Sequence, residues 1–238
     1  MRGLGTIINV AAIVFAGLLG SLFKKGLKDE HQSAIITATG ICVLFIGISG
    51  TLEKMITVSD GHLVVSGTMM MIVSFALGTL IGELLQIEQR VIRFGEWLKK
   101  KTGNEKDRSF VDAFVTTSLT VCIGAMAIVG GIQDGISGDY SILAAKSVLD
   151  GIILLVLTPS LGKGCIFSAI PVAILQGLAT VLATIIQPIL TDAALTNLSL
   201  VGSMMIFCVG INLLWKNKIR VANMLPTIIF AVAWSFIF

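Results

Sequence analysis

The chain has 238 residues, of which 55% are hydrophobic and only 13% are charged, and its formal net charge is +3. Soluble domains carry about 25% charged residues, whereas the mean hydropathy here is +0.95. The composition therefore excludes a soluble globular protein. It predicts a polytopic membrane protein whose main partner is the lipid bilayer.

Apolar runs long enough to cross a bilayer recur along the whole chain. A helix needs about 20 apolar residues to span about 30 Å of hydrocarbon. Eight runs come close to this length, at 4–23, 34–52, 64–87, 109–132, 141–161, 165–188, 196–215 and 221–238. We therefore predict an all-α transmembrane helix bundle of about eight spans, forming a single integral membrane domain over residues 1–238.

The two ends of the chain allow alternatives. The first run follows Arg2, which also fits a signal peptide, but the length of the run and the three lysines after it favour a span. The last run contains Pro226 and is only just long enough to cross. A seven-span arrangement that leaves this run on one side of the membrane is the alternative.

The basic residues sort onto alternate sides of these spans. Fourteen of the 17 Lys and Arg residues fall in the loops after spans one, three, five and seven. Because positive charges are retained on the cytoplasmic side, we expect these four loops to be cytoplasmic. With eight spans, both termini then lie on the non-cytoplasmic side.

The most basic loop contains the sequence EQRVIRFGEWLKKK within residues 88–104. Val91, Phe94 and Leu98 share one helical face, and Arg and Lys residues take the others. This pattern is typical of a helix that lies at the membrane surface. The alternative is a basic connector that only fixes the orientation of the spans, and neither interpretation predicts nucleic-acid binding.

The sequence contains a weak internal similarity. Placing Gly40 on Gly151 aligns Ala34–Thr51 with Ala145–Gly162. Three spans separate the two segments, so the copies would run in opposite directions, as in the inverted repeats of many secondary transporters. The predicted repeats cover 4–87 and 109–188, and the two spans within 196–238 lie outside both repeats.

Two opposite charges, Lys146 and Asp150, lie four residues apart inside the span 141–161. Residues at this spacing share a helical face, and a charge at the bilayer centre costs about 2.5 to 3.5 kcal/mol, so such residues normally face a protein interior or a wet cavity. We expect Asp150 to bind a proton, a cation or a polar solute, with Lys146 holding its charge state and Ser147 beside them. The alternative is a neutralised ion pair that only packs helices together.

The loop before this span, GGIQDGISGDYS at Gly130–Ser141, is rich in glycine and aspartate. It is either an external turn or a broken helix that dips into the membrane and lines a cavity. In the second arrangement, Gln133, Asp134 and Asp139 stand at the mouth of a pathway to Asp150. Glycine permits unusual backbone conformations, and the glycines assigned to backbone or close-packing roles are Gly130, Gly131, Gly135, Gly138 and Gly151.

Uncharged polar residues at membrane depth extend this candidate pathway. Asn9 in the first span and Gln176 in the sixth are the residues that we add to it. The four cysteines lie in apolar spans without paired spacing and the two histidines stand alone in loops, so neither a metal site nor a cofactor is predicted. The sequence lacks nucleotide-binding, hydrolase and metalloprotease motifs, and no catalytic residue or enzyme activity is predicted.

Two stretches of the chain carry a family resemblance. They are GAMAIVGGIQDGISGDYSILAAKSVLDGI at Gly124–Ile152 and INLLWKNKIRVANMLP at Ile211–Pro226. Both resemble the bacterial membrane-protein family that includes YqgA and YdfK, a family that has no assigned function. The resemblance implies a multi-pass protein of the bacterial plasma (inner) membrane and supplies neither a substrate nor a catalytic residue.

Together these features favour a secondary transporter or channel for a small ion or polar solute. The alternative is a non-transporting accessory or sensor protein whose buried polar groups serve helix packing. Small-residue faces on several spans would also tolerate a homo-oligomer.

Overall fold

A computed structural model of the protein describes residues 2–23, 29–59, 61–122, 125–187, 191–215 and 218–237. Its α-helices are α1 (Leu4–Phe23), α2 (Asp29–Met55), α3 (Thr68–Leu85), α4 (Ile87–Lys101), α5 (Phe110–Cys122), α6 (Ala125–Ser137), α7 (Ser141–Leu161), α8 (Ala169–Val181), α9 (Ala183–Ile186), α10 (Asp192–Trp215) and α11 (Thr227–Trp234). The 3₁₀ helices Lys163–Ser168 and Val221–Met224 precede α8 and α11. Strands β1 (Ile56–Ser59) and β2 (His62–Val65) pair antiparallel between α2 and α3. Of the residues used in the sequence analysis, Lys24, Lys25, Lys28, Gly124 and Lys216 lie outside the described residues.

Most of the helices are long and apolar enough to cross a membrane. Within the described residues, six candidate spans meet this test by length and composition, namely α1, the 33–55 part of α2, α3, α7, the 163–181 segment and α10. The bent pair of α5 and α6, whose axes meet at 61°, adds a seventh if the pair counts as one span. The predicted all-α polytopic membrane fold is confirmed, with a span count of six to seven.

The predicted last span, 221–238, is a shorter apolar helix over Val221–Trp234. At about 1.5 Å per residue, this helix is shorter than the hydrocarbon core of about 30 Å. Pro226 lies directly before α11, where its missing N–H costs no helical hydrogen bond. The proline therefore separates the 3₁₀ helix from α11.

The helices are grouped into two compact units. The first contains Met1–Thr39, Arg90–Cys122 and Met126–Gln187, and the second contains Gly40–Gln89, Ile123–Ala125 and Pro188–Phe238. All the residues that we predicted for the functional site belong to the first unit. The charged pair, the glycine-rich segment, Asn9 and Gln176 therefore share one set of packed helices.

In the first unit, α1 packs along α7 and also contacts α8. A Cβ atom added to Gly5 would lie 2.7 Å from Cβ of Leu143, and one added to Gly20 would lie 3.0 Å from Cβ of Thr158. Such distances leave no room for a larger residue. The glycines of α1 therefore allow the two helices to approach closely enough for polar side chains on α1 and α7 to meet.

The bent pair of α5 and α6 belongs to the same unit. The glycine-rich segment predicted as a loop is helical to Ser137, and only residues 138–140 form the turn before α7. Gly138 adopts φ 74°, a conformation that favours glycine. By its geometry the pair is either a broken span or a re-entrant loop, and the choice between an external turn and a segment that dips into the membrane stays a prediction.

Glycines of α6 bring it against its neighbours. A Cβ atom at Gly131 would lie 2.8 Å from Cβ of Ala179, and one at Gly135 would meet the carbonyl of Thr180. A Cβ atom at Gly130 would lie 2.8 Å from Leu143. The three glycines therefore occupy close-packed positions.

In the second unit, α3 packs against α10, α11 and the 3₁₀ helix that precedes α11. A Cβ atom at Gly78 would meet Thr227, and one at Gly82 would meet the carbonyl of Asn223. The order of a long helix, a 3₁₀ helix and a second helix occurs in both units, as α7 to α8 and as α10 to α11. The predicted inverted repeat of 4–87 and 109–188 stays a prediction.

The helix predicted over 88–104 is observed as α4. Its residue Leu98 is buried with Phe110 and Phe114 of α5, while Trp97 is 54% exposed. One face of α4 therefore packs on α5 within the first unit. The basic residues Lys99, Lys100 and Lys101 lie in the last turn of α4. Its location at the membrane surface remains a prediction.

Candidate functional site

Lys146 and Asp150 form a buried ion pair on α7. Nζ of Lys146 lies 2.8 Å from Oδ1 of Asp150, and the two residues are 7% and 2% exposed. The helix that carries them, Ser141–Leu161, has the bounds predicted from the sequence. Burying two charges costs several kcal/mol per ion, which the pair offsets only when the geometry is good and the remaining polar atoms find partners.

Asn9 of α1 supplies one of these partners. Its Nδ2 donates to Oδ2 of Asp150 over 3.0 Å, and the residue is fully buried. A carboxylate can only accept hydrogen bonds, so the amide nitrogen must face it. Oδ1 of Asn9 then has no hydrogen-bond partner in the part of the chain that the structure describes.

The second partner is a backbone carbonyl at the end of α5. Nζ of Lys146 donates to the carbonyl oxygen of Val121 over 2.8 Å, and Val121 is 1% exposed. Val121 lies in the last turn of α5, which ends at Cys122, and the carbonyls at a helix C-terminus carry partial negative charge. The ammonium group therefore satisfies a buried carbonyl at the helix break.

Ser147 and Gly151, which lie next to the charged residues on α7, were also predicted to belong to the site. The Ser147 hydroxyl donates to the carbonyl of Ala144 over 2.7 Å, within its own helix. A Cβ atom at Gly151 would lie 3.9 Å from Cβ of Ala16, which is an ordinary contact. The space at Gly151 therefore does not require glycine, and the described contacts of Ser147 do not link it to Asp150.

Asp134 of α6 holds the beginning of α1. Its Oδ1 accepts from the backbone N–H of Gly3 over 3.0 Å and its Oδ2 from that of Gly5 over 2.9 Å. The residue is fully buried. The carboxylate thus caps a helix N-terminus, where free N–H groups and the helix dipole favour negative charge. It does not present its oxygens to an open pathway mouth.

Gln133 and Asp139 meet in the turn between α6 and α7. Nε2 of Gln133 donates to Oδ2 of Asp139 over 2.8 Å. The amide and hydroxyl of Ser141 donate to Oδ1 over 2.9 and 2.6 Å. The hydrogen bonds from Ser141, and then that from Gln133, lower the pKa of the Asp139 carboxyl below its ordinary value. Asp139 therefore stabilises the start of α7 in its ionised form.

A cavity of about 490 Å³ opens beside the N-terminus of α1. Its lining comes from α1 and the residues just before α1, and from α6, α8 and α9. They are Arg2, Gly3, Thr6, Gly135, Gly177, Thr180, Val181, Ala183 and Thr184. Most of the lining residues are small, and the polar groups among them are three threonine hydroxyls and the Arg2 side chain.

Polar side chains continue inward from this cavity on two helices. Asn9 follows Thr6 by about one turn on α1, and Gln176 precedes Thr180 by about one turn on α8. Asn9 and Gln176 are both fully buried. Within the described residues, Oγ1 of Thr6, Oδ1 of Asn9 and both side-chain polar atoms of Gln176 have no hydrogen-bond partner. Unused polar atoms therefore lie on Thr6, which lines the cavity, and on residues one helical turn from Thr6 and Thr180.

The sequence did not identify three parts of this arrangement. Thr6 and Thr180 lie at helical spacing from Asn9 and Gln176, so a search along each helical face would have found them. Val121 contributes through its backbone carbonyl, for which the side chain gives no signal. Among the described residues, no group of three or more His, Cys, Asp or Glu side chains is arranged to hold a metal ion.

Comparison with known proteins places the chain in a family. Residues 4–236 match the family described as protein of unknown function (DUF554). The uncharacterized membrane protein YdfK of Bacillus subtilis (strain 168) is 28% identical over 225 residues, which cover 94% of this chain and 92% of YdfK. The uncharacterized protein YqgA of Escherichia coli (strain K12) is 27% identical over 236 residues, covering 98% and 96%. No solved structure matches the chain. The resemblance read from the sequence is thus confirmed, and the chain belongs to the DUF554 family.

Proposed function

We propose that this protein is a secondary transporter or channel for a small ion or polar solute, with Lys146, Asp150 and Asn9 on its pathway. The observation that carries the proposal is the hydrogen bond from the buried Lys146 of α7 to the carbonyl of Val121, near the end of α5 in the bent pair of α5 and α6. Discontinuous helices commonly form the substrate and ion sites of secondary transporters near the bilayer midplane. We propose neither catalysis nor a cofactor for this cluster.

The unused polar atoms beside the cluster support the same proposal. A buried polar group without a partner costs about 1 to 3 kcal/mol. Thr6, Asn9 and Gln176 each contribute at least one such atom among the described residues. A polar solute or a hydrated ion that passed from the cavity toward Asp150 would bond to these atoms.

A second candidate function is a non-transporting accessory or sensor protein, and one observation favours it. Both carboxylate oxygens of Asp150 already accept hydrogen bonds, and Lys146 is bonded to α5 as well as to Asp150. Such a cluster would fasten α1, α5 and α7 together. Neither charged residue is among those that line the cavity.

The melting temperature of the purified protein in a panel of solutes separates the two functions. The panel contains alkali chlorides, potassium phosphate, organic acids and amino acids, and the variants are Asp150→Asn and Glu53→Gln. Glu53 is the matched control because it forms an exposed ion pair with Lys54 at 2.7 Å. A solute that binds the folded state must stabilise it, by about 2.7 kcal/mol at 100 times its Kd. A solute that stabilises the wild type and Glu53→Gln but not Asp150→Asn supports the transport function, whereas a panel without effect favours the packing function.

We also propose that the protein lies in the bacterial plasma membrane with both termini on the non-cytoplasmic side. This orientation requires an even number of crossings, so the outcome depends on whether Val221–Trp234 and the bent pair of α5 and α6 cross. Fusions of alkaline phosphatase and of green fluorescent protein to the C-terminus and to the loop after α4 test it. We expect phosphatase activity at the C-terminus and fluorescence at the loop. Fluorescence at the C-terminus would contradict the proposed orientation.

A further inference from the structure

The Lys146 ammonium group occupies a position with the chemistry of a monovalent-cation site. We propose that the protein carries such a site between α7 and the end of α5 and fills it with its own Lys146 side chain. Removal of that side chain would then allow a free alkali ion to bind. The site can be tested by binding alone, and only its consequence for transport rests on the proposed function.

The oxygen atoms around the ammonium group are of the kind that bind alkali ions. Oδ1 of Asp150 and the carbonyl oxygen of Val121 each lie 2.8 Å from Nζ of Lys146. Free carbonyls and the C-terminal ends of half-helices coordinate coupling cations in secondary transporters, because the helix dipole gives them partial negative charge. A carboxylate beside them supplies the full charge that a monovalent cation needs.

The orientation of Asp150 is fixed independently of Lys146. Nδ2 of Asn9 donates to Oδ2 of Asp150, which leaves Oδ1 for the cation. Oδ1 of Asn9 is a further buried oxygen without a hydrogen-bond partner in the described chain. The oxygen set therefore does not depend on the lysine, and it would persist if the lysine were shortened.

The charge balance explains why the position must hold a cation. Asp150 is 2% exposed, and an unpaired buried carboxylate is strongly destabilising. Within the described residues, Lys146 is the cationic side chain in contact with it. A protein without this ammonium group has to neutralise Asp150 with a proton or with a free cation, and the surrounding oxygens favour the free cation.

This assignment has a consequence for the proposed transport. A lysine tethered four residues from Asp150 supplies the positive charge that an alkali ion supplies in an open site. Transport by the native protein would then not require Na⁺ or K⁺ at this position.

The test measures melting temperatures of purified full-length variants in LiCl, NaCl, KCl and choline chloride at one ionic strength and alkaline pH. Lys146→Ala and Lys146→Ser remove the ammonium group and leave space for an ion. Lys146→Gln fills the space with a neutral side chain, and the double variant Lys146→Ala with Asp150→Asn removes the need for a cation. Lys54→Ala is a control at the exposed ion pair.

We expect at least one alkali ion to raise the melting temperature of Lys146→Ala and Lys146→Ser relative to choline. The shift would be about 3 to 6 °C at a cation concentration of about ten times Kd. The wild type, Lys146→Gln, the double variant and Lys54→Ala should show no such difference. The proposal is overturned if Lys146→Ala and Lys146→Ser respond equally to all four salts. It is also overturned if both fail to fold in every alkali salt, because a site that accepts free cations would have rescued them.

Discussion

Nζ of Lys146 lies 2.8 Å from the carbonyl oxygen of Val121, 25 residues earlier in the chain. This hydrogen bond joins the second turn of α7 to the last turn of α5. Since Lys146 also pairs with Asp150, and Asp150 accepts a hydrogen bond from Asn9, these three side chains together connect α5, α7 and α1. The cluster is thus both a structural junction and a buried charged site.

The first prediction concerns the ion pair itself. Lys146→Met leaves the buried carboxylate of Asp150 and the carbonyl of Val121 without the ammonium group. We expect a loss of about 3 to 5 kcal/mol in unfolding free energy in choline buffer, the cost of removing one partner of a buried pair. Thermal unfolding of the purified protein measures it. The same change at the exposed Lys54 should cost no more than about 1 kcal/mol, and equal costs at both sites would contradict the assignment.

The second prediction concerns Asn9. Asn9→Leu keeps a similar volume but removes the donor to Oδ2 of Asp150. A buried acceptor that loses its donor costs about 1 to 3 kcal/mol, so we expect the melting temperature to fall. The half-buried Asn104, whose side chain bonds only within its own turn among the described residues, serves as the control in Asn104→Leu. A melting temperature unchanged by Asn9→Leu would show that this hydrogen bond is unimportant.

The third prediction concerns the cap on α1. Asp134→Asn retains the side-chain volume but has one acceptor oxygen in place of two, and it has no charge to meet the helix dipole. We expect a loss of about 1 to 2 kcal/mol, as for other buried N-terminal caps. Asp192 lies exposed in the first turn of α10, and Asp192→Asn should cost less than about 1 kcal/mol. Chemical unfolding measures the loss of unfolding free energy in both variants. A larger loss for Asp192→Asn than for Asp134→Asn would contradict the assigned cap.

The fourth prediction is a pH dependence at Asp139. Its pKa is lowered in the folded protein by the hydrogen bonds from Ser141 and Gln133. The resulting stability is present above the unfolded-state pKa, near the ordinary value of 3.8, and is lost as the pH falls through the lower folded-state pKa. Asp139→Asn should therefore lower the melting temperature at neutral pH and have a smaller effect in acid. An effect of constant size at every pH would argue against an ionised Asp139 as the source.

The fifth prediction compares two glycines. Gly135→Ala places a Cβ atom against the carbonyl of Thr180, whereas Gly151→Ala places one 3.9 Å from Ala16. We expect Gly135→Ala to cost about 1 to 3 kcal/mol through overpacking. Gly151→Ala should be neutral or stabilising by up to about 1 kcal/mol, because alanine is the better helix former. Melting temperatures of the two variants measure this difference, which would vanish if α6 did not pack closely on α8.

The parts of the fold that depend on local hydropathy could be read from the sequence. The bounds of α1 and α7 agree with the predicted spans, since a continuous apolar run with polar ends defines a helix across a bilayer. The pairing of Lys146 with Asp150 followed from their helical spacing. The hairpin of β1 and β2 was missed, although the Asp-Gly dipeptide in SDGHLVV is a known turn signal.

The parts that depend on tertiary contacts could not be read in this way. No proline marks the end of α5, so nothing predicted that Lys146 would bind the carbonyl of Val121. Asp134 was expected at a pathway mouth because it is acidic and follows glycines. Its partners are backbone amides of α1, about 130 residues away in sequence, and backbone groups leave no pattern in the side chains.

Solute flux into proteoliposomes tests the central proposal most directly. Stopped-flow light scattering would follow swelling in gradients of NaCl, KCl, potassium phosphate, potassium acetate and neutral amino acids, for the wild type, Asp150→Asn, Glu53→Gln and protein-free liposomes. A pathway through the charged cluster predicts that the wild type and Glu53→Gln accelerate swelling with at least one solute, while Asp150→Asn swells at the protein-free rate. Swelling of the wild type at the protein-free rate with every solute, or equal rates for Asp150→Asn and the wild type, would contradict it.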